Sequence, residues 1–473
     1  MSLDSFYYPK SIAIVGASND PGKAGNQIAN NMLRLGFAGK VYFVNPKEKE
    51  ILGKKAYPSI LEIDEPLELV EIIIPAKGVV SIFEQMERRG DVKAAIIMAS
   101  GFSETGIPEN IELERKMLEI ARRAKIRVFG PNCVGVMNTE NHLDTTFSPN
   151  IIQRSGGMSI ITQSGSVGSS VLMFACAQPV PMGFCKWGHV GNMSDVNTEE
   201  LLQYYAADNA TKVIAMYMEG MMNARSFFNT AKRVTSQKPM VVLKVGRSEV
   251  GAVAAASHTG SLAGSDKIFD GVFQQTGIIR VETIEELIDT SKAFSMLEQL
   301  PKGNRIAILT EAGGPGVISM DVVGNAPKVQ MAKFSPATEA KLRQILPPMA
   351  LISHPDGYVD MTAAADGPQH AEALEALLRD EGVDSVLLLS VPPTFLTPPE
   401  IAEAVGEKMP LAKQLGKPVF ACFLAGAWVQ AAHAEMERMG IPTFEMPQRA
   451  AQALVNVTKY GQIRREREAE IHG

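Results

Sequence analysis

His258 lies in the run GAVAAASHTGSLAG, Gly251–Gly264, which consists almost wholly of small residues until Leu262. An imidazole presented there, among hydroxyls and glycines, can reach a phosphate. A histidine that attacks phosphorus needs one ring nitrogen free and the other held by an acceptor. Glu219 is the candidate acceptor, because it follows the apolar run Val213–Met218 and precedes Gly220. The plainer readings are a histidine that fills space at a helix start and a surface turn acid. His189, in WGHVGN, is the runner-up, and His142, His354, His370, His433 and His472 lack a comparable setting. Two glycine turns could hold the anion: Ser164-Gly165-Ser166 in SIITQSGSVGSS, and Gly313-Gly314-Pro315-Gly316 in AILTEAGGPGVIS. Each follows an apolar run and opens a helical pattern, so free N–H groups and a helix dipole would meet there. One such loop is usually an ordinary βα connection, but two equivalent ones favour phosphate.

A third glycine turn comes first in the chain: Gly16, Ala17 and Ser18, then Gly22 and Lys23. A strand, a glycine loop and a helix in that order resemble a dinucleotide fold. The second strand ends at Asn45-Pro46-Lys47, without the acid that an NAD enzyme places roughly 20 residues beyond its loop. A lysine there suits a phosphate on a ribose, as in NADP or coenzyme A. Taken alone, Lys47 is a turn lysine in PKEKE. Pro75-Ala76, Ser100-Gly101 and Asn132-Cys133 close later strands, and loops at the carboxyl ends of parallel strands converge on one crevice. Cys133 is either a small buried residue, the favoured reading, or a neighbour of a thiol ligand.

The elements that must position these residues are short apolar runs alternating with longer amphipathic stretches, the rhythm of parallel sheets covered on both faces. Strands are expected at 11–15, 41–44, 70–74, 94–98 and 127–129. The rhythm restarts after the turn-rich stretch 139–157, with strands at 158–162, 213–218 and 240–245. It restarts again after 300–304, with strands at 305–309, 385–390 and 418–423. The 473 residues fit about three domains at ~150 residues each. The expected boundaries are 1–138, 150–298 and 303–462, and the charged tail from Lys459 reads as a solvated helix end. A net charge of −6 argues against a nucleic-acid protein. No apolar stretch is long enough to span a membrane, and the N-terminus has no signal-peptide pattern. Four scattered cysteines support neither a metal site nor disulfides, so a cytoplasmic location is expected.

These motifs resemble one family, the α subunits of NDP-forming acyl-CoA synthetases of the ADP-forming acetyl-CoA synthetase type, relatives of succinyl-CoA synthetase. SHTGSLAG around His258 and the downstream GGPG carry the likeness, supported by Ile14–Gly25, Ser100–Glu104, Gly130–Gly135, Gly191–Glu200 and Met216–Gly220. The resemblance implies a Rossmann-like CoA-binding domain followed by two flavodoxin-like doubly wound domains. It implies that Gly16–Gly25 and Asn45–Lys47 hold the CoA phosphates and adenosine, with Pro75, Ala76, Ser100, Gly101, Asn132 and Cys133 along the ligand. His258 would be the phosphorylated histidine, Glu219 its carboxylate partner, and Ser164–Ser166 with Gly313–Gly316 two helix starts facing the phosphate without a metal. The implied reaction interconverts acyl-CoA, phosphate and ADP with carboxylic acid, CoA and ATP. No stretch has room for an ATP-grasp domain, so ADP/ATP with Mg would sit on a separate β chain, commonly in an α2β2 heterotetramer. Neither NAD nor flavin is implied.

Two departures stand out. Thr310-Glu311-Ala312 carries an acid where the family commonly has asparagine, and a carboxylate beside phosphate is repulsive unless it points away. Ser353–Asp360 (SHPDGYVD) is longer than the usual Asn-Pro-Val-Asp turn, which bears on the acyl pocket. An NADP-dependent oxidoreductase would leave His258 and both later loops without a role. A CoA sensor without turnover would leave His258 and Glu219 unused.

Overall fold

Both faces of the central strands are covered, which is why the apolar runs fold as parallel strands. In Ser11–Val15, Met240–Lys244, Ser385–Ser390 and Val419–Phe423 every residue is buried. The computed structural model describes residues 3–149, 151, 153–178, 180–251, 253 and 266–472. The chain divides into two compact units, Met1–Cys176 with Met182–Arg280, and Ala177–Pro181 with Val281–Gly473.

The first unit carries two sheets. Strands β1 (Ser11–Val15), β2 (Lys40–Val44), β3 (Glu50–Ile51), β4 (Lys54–Tyr57), β5 (Leu69–Ile72), β6 (Ala94–Ile97) and β7 (Arg127–Phe129) are ordered β3-β4-β2-β1-β5-β6-β7. The second sheet uses β8 (Gly135–Asn138), β9 (Leu143–Asp144), β10 (Ser155–Thr162), β11 (Phe184–His189), β12 (Val213–Met218), β13 (Met240–Lys244) and β14 (Ile279–Val281), ordered β14-β13-β12-β10-β11-β8-β9. One core joins the two sheets, drawing Ile12, Ile14 and Phe129 together with Ile161, Met216 and Val242.

The third sheet, in the second unit, contains β15 (Arg305–Thr310), β16 (Gln330–Met331), β17 (Leu351–Ile352), β18 (Tyr358–Asp360), β19 (Ser385–Ser390), β20 (Val419–Phe423) and β21 (Thr443–Phe444). Its order is β17-β18-β15-β19-β20-β21, with β16 beside β15. The α/β class and the doubly wound sheets expected from the sequence are therefore present.

Two strand readings need correction. The turn-rich stretch 139–157 contains β9, which pairs antiparallel with β8 as the edge of the second sheet, while β8 pairs with β11. The sequence reading also passed over β11, FCKWGH, because Lys186 interrupts its apolar run. Lys186 is nonetheless wholly buried, its Nζ 3.0 Å from an Asp208 carboxylate oxygen. A buried charge is tolerated when it is paired. The charged tail ends one long helix, Pro447–His472. Its first half is core, with Ala450, Leu454, Val457 and Tyr460 buried, and the more exposed face begins only near Arg464.

Candidate functional site

Every described residue singled out from the sequence lies at or just beyond the carboxyl end of a strand, where open α/β sheets take ligands. In the first sheet, β2 and β5 lie on opposite sides of β1, so the chain reverses direction between β1 and β5. Gly16 closes β1 there with φ +102°, and a Cβ would come 2.9 Å from the Ile73 carbonyl oxygen. No side chain fits. Asn45 Nδ2 donates to the Ala17 carbonyl at 2.8 Å, and Asn26 Nδ2 donates to the Ser18 carbonyl at 2.9 Å. Gly22 N–H donates to Asp20 Oδ1 at 2.9 Å, while Lys23 is exposed with its ammonium 3.8 Å from Asp20. Lys47 is exposed, and its N–H donates to Asn45 Oδ1 at 2.9 Å.

One acid was missed in this loop. Glu48 accepts from the Asn19 N–H at 3.3 Å and from Ser18 Oγ at 3.4 Å. The end of the second strand therefore does bring a carboxylate to the glycine loop, one residue beyond the Asn45–Lys47 turn.

The loops after β6 and β7 are tied to the loop after β11. Glu104 accepts from Gly101 N–H at 2.5 Å and from Asn192 Nδ2 at 2.7 Å. Burial opposes its charge, but these hydrogen bonds hold its carboxyl below the usual range. Asn192 Oδ1 accepts from Asn132 Nδ2 at 3.3 Å, and Glu114 accepts from Ser103 N–H at 2.9 Å and Ser194 Oγ at 2.5 Å. A Cβ on Gly101 would lie 3.6 Å from that of Ala76, at the start of the helix Ala76–Arg89, whose N-cap is Pro75. Ser100 is exposed beside them. Cys133 is 3% exposed, its thiol donates to the Ile97 carbonyl at 3.3 Å, and burial pushes it up to about 12. Its side chain is a small core group, not a nucleophile.

In the second sheet the chain reverses direction between β10 and β12. Thr162, the last residue of β10, donates from Oγ1 to the Ser164 carbonyl at 2.7 Å and accepts from Ser164 N–H at 3.2 Å. That staple turns the chain so that a helix, Gly165–Cys176, starts at Gly165 with no acid in its first turn. Ser164 Oγ and Ser166 Oγ lie 3.4 Å apart on the rim. Gln163, which the sequence reading did not single out, reaches to the end of β12. Its Oε1 accepts from Glu219 N–H at 2.7 Å and Gly220 N–H at 3.0 Å. Glu219 is partly exposed at this edge.

His258 lies outside the described residues, as does most of its segment. The strand that leads to it, β13, pairs with β12 so that Met218 faces Lys244, and Val245 N–H donates to the Met218 carbonyl at 3.0 Å. The chain thus leaves β13 one strand away from Glu219. His189, the runner-up, is 6% exposed at the end of β11 and accepts at Nδ1 from Val134 N–H at 2.9 Å. Burial pushes it down to about 4, partly offset by the Gln163 backbone. Its ring is neutral and structural. It backs Gly165, where a Cβ would lie 3.2 Å from its Cε1 and 2.6 Å from Val134 Cγ2.

The third sheet repeats this construction between β15 and β19. Thr310 Oγ1 donates to the Ala312 carbonyl at 2.9 Å and accepts from Ala312 N–H at 3.0 Å. The helix Gly313–Gly324 then opens on Gly313-Gly314-Pro315-Gly316, with no side-chain cap and no acid in its first turn. An uncapped N-terminus of this kind leaves N–H groups for an anion. Glu311, between Thr310 and that opening, is held by the exit of β19. It is 3% exposed and accepts from Ser390 Oγ at 2.6 Å and Val391 N–H at 2.7 Å, with His370 Nε2 at 3.3 Å. In the Ser353–Asp360 turn, the Tyr358 ring packs against Gly316, where a Cβ would come within 2.6 Å of it.

Known proteins share this layout. Residues 10–139 match the family model for a CoA binding domain, 155–294 that for a succinyl-CoA ligase like flavodoxin domain, and 306–468 that for a Ligase-CoA domain. The alpha subunit of ADP-forming acetate–CoA ligase II from Pyrococcus furiosus is 41% identical over 97% of this chain and 98% of its own. The ADP-forming acetate–CoA ligase of Methanocaldococcus jannaschii is 39% identical over 96% of this chain, which spans 62% of that longer protein. A solved structure of the dinucleotide-forming acetyl-coenzyme A synthetase 1 of Ca. Korarchaeum cryptofilum, in complex with phosphate and ADP, superposes with a TM-score of 0.89 at 32% identity. It covers 99% of both chains. These relatives favour neither an oxidoreductase nor a sensor. Among the described residues no helix is long and apolar enough to cross a membrane. The chain belongs to the family of ADP-forming acetate–CoA ligases, and it matches alpha subunits of that family over 97% of its length.

Proposed function

We propose that this chain carries the acyl-CoA and phosphohistidine chemistry of an ADP-forming acyl-CoA ligase. The reading rests chiefly on the pairing of an acid-free helix start at Gly165 with Glu219 across the reversal point of the second sheet. Phosphate attacks the thioester carbonyl, a C–O bond forms, the C–S bond breaks and the thiolate of CoA leaves and takes a proton. His258 then attacks the phosphorus of the acyl phosphate, and the carboxylate departs with the P–O electrons. The phosphohistidine finally passes its phosphoryl group to ADP, breaking the P–N bond. Glu219 orients the imidazole and stabilises its cationic form. The start of the Gly165 helix stabilises the phosphoryl oxygens, contributing about 0.3–1 kcal/mol, or up to ~2 when partly buried.

CoA lies along Gly16–Lys23, Asn45–Lys47, Pro75-Ala76, Ser100-Gly101 and Asn132-Cys133. The domains that divide this labour are 1–138, 150–298 and 303–462. ADP and Mg belong to an ATP-grasp β chain, in an α2β2 assembly located in the cytoplasm. Neither NAD nor flavin takes part.

Intact-protein mass spectrometry tests the reading. The chain is incubated with labelled phosphate and a panel of acyl-CoAs, with His258→Ala as control. An acid-labile, base-stable adduct absent from the variant is expected. No adduct on any acyl-CoA, even with a β chain and ATP present, sinks the reading.

A further inference from the structure

The second and third sheets share a device at the point where each reverses direction. In both, the residue after the central strand's stapling threonine is polar and reaches across to the exit of the neighbouring strand. Gln163 follows Thr162 and accepts from the backbone N–H groups of Glu219 and Gly220, at the exit of β12. Glu311 follows Thr310 and accepts from the backbone N–H of Val391, at the exit of β19. The two sites differ in charge. Glu311 is a buried acid that also accepts from Ser390 Oγ at 2.6 Å. Gln163 is a neutral amide, and its Nε2 also donates to the Gly220 carbonyl at 3.1 Å.

We infer that Gln163 is a positioning residue for Glu219, an assignment that rests on Glu219 being the carboxylate partner of the phosphorylated histidine. The amide satisfies two N–H groups and one carbonyl of a single dipeptide, so the backbone carrying the Glu219 side chain cannot turn independently of the loop Ser164–Ser166. Gln163 is itself the residue before that loop. The clamp therefore sets the distance between the anion site and the carboxylate, and the strand leading to His258 leaves the sheet beside it. At the equivalent place in the third sheet, the buried Glu311, a carboxylate does the same work.

The test is phosphohistidine formation by the full chain, followed from labelled phosphate and acyl-CoA, with CoA binding and thermal midpoint read in parallel. Gln163→Met is close in shape and makes no hydrogen bonds. Its adduct should form about tenfold more slowly or worse, as two or three lost hydrogen bonds imply, with CoA affinity and the KM for acyl-CoA unmoved. Gln163→Glu keeps both acceptor bonds, as Glu311 does at its own site, and should lose less than the methionine variant. Should Gln163→Met fail to fold, Gln163→Asn carries the same expectation, because it stays polar but is one methylene too short. An adduct rate equal to wild type in Gln163→Met or Gln163→Asn overturns the proposal. So does a glutamate variant no better than the methionine one. If the wild-type chain makes no adduct at all, the Glu219–His258 reading has failed and takes the positioning role with it. A wild-type adduct with an indifferent methionine variant sinks the positioning role alone.

Discussion

Gly165 shows how little space a functional turn leaves. Val134 and the His189 ring stand where its Cβ would go, 2.6 and 3.2 Å away. Gly165→Ala should therefore cost about 1–3 kcal/mol of stability, as overpacking does. A denaturant melt, together with a slower phosphohistidine signal, would show it. Asp144 is a second single-residue case. It is fully buried, its Oδ1 accepts from Thr146 N–H at 2.9 Å, and its Oδ2 has no partner among the described residues. Burial pushes its carboxyl from 3.8 up to about 7. The folded chain thus keeps a proton that the unfolded chain releases as pH rises above 3.8. Stability is lost progressively between pH 3.8 and about 7. At 1.36 kcal/mol per unit, the full loss is on the order of 4 kcal/mol. Asp144→Asn should remove this slope, so its unfolding free energy should gain on wild type from about pH 4 to about pH 8 in urea titrations. An unchanged difference across that range would refute the assignment.

Elements act here through their ends. Two threonines at equivalent places, Thr162 and Thr310, are fully buried, and each makes a two-way hydrogen bond to the residue two positions on. Replacing either by valine keeps the shape and leaves an unpaired backbone N–H and C=O. Each substitution should cost about 1–3 kcal/mol, read in the same melt, and should weaken phosphate binding in isothermal titration. The glycine loops were legible in the sequence because glycine and strand periodicity are local signals. The staples were not, because a threonine inside an apolar run looks like any β-branched strand residue. Nor was β11, where a buried lysine masks the strand until Asp208 is brought to it. Gln163, Asn192 and Glu48 escaped for a similar reason. The first two meet partners 56 and 88 positions away, and Glu48 reaches the loop only once β2 pairs with β1.

At the scale of the molecule, the division of labour predicts what the isolated chain does. With acyl-CoA and phosphate it should take up at most one phosphoryl group and make no ATP from ADP until a β chain is added. A luciferase assay beside the mass measurement would check this. The second unit is held by its long last helix. Arg449 reaches Asp289 on the helix Ile284–Met296 with two hydrogen bonds, at 2.6 and 2.8 Å, and Asp289 is 4% exposed. Asp289→Ala leaves the guanidinium without that partner and should destabilise this unit by about 3 kcal/mol or more. Differential scanning calorimetry would show the loss in that unit's transition.

The sequence by itself determined the α/β class, the three successive sheets and the family, because apolar periodicity and short glycine motifs are written locally and survive without partners. It also located Glu219, Ser164–Ser166 and Gly313–Gly316 at strand ends. Only the tertiary structure decided which groups those loops meet. It turned Glu311 inward onto Ser390 and Val391, made Cys133 and His189 core groups, and brought Gln163 to Glu219. It also completed the second sheet with β8 and β9. The physical reason is the same each time. A polar side chain takes its role from the donor, acceptor or charge that folding places within about 3 Å, and sequence distance carries no information about that.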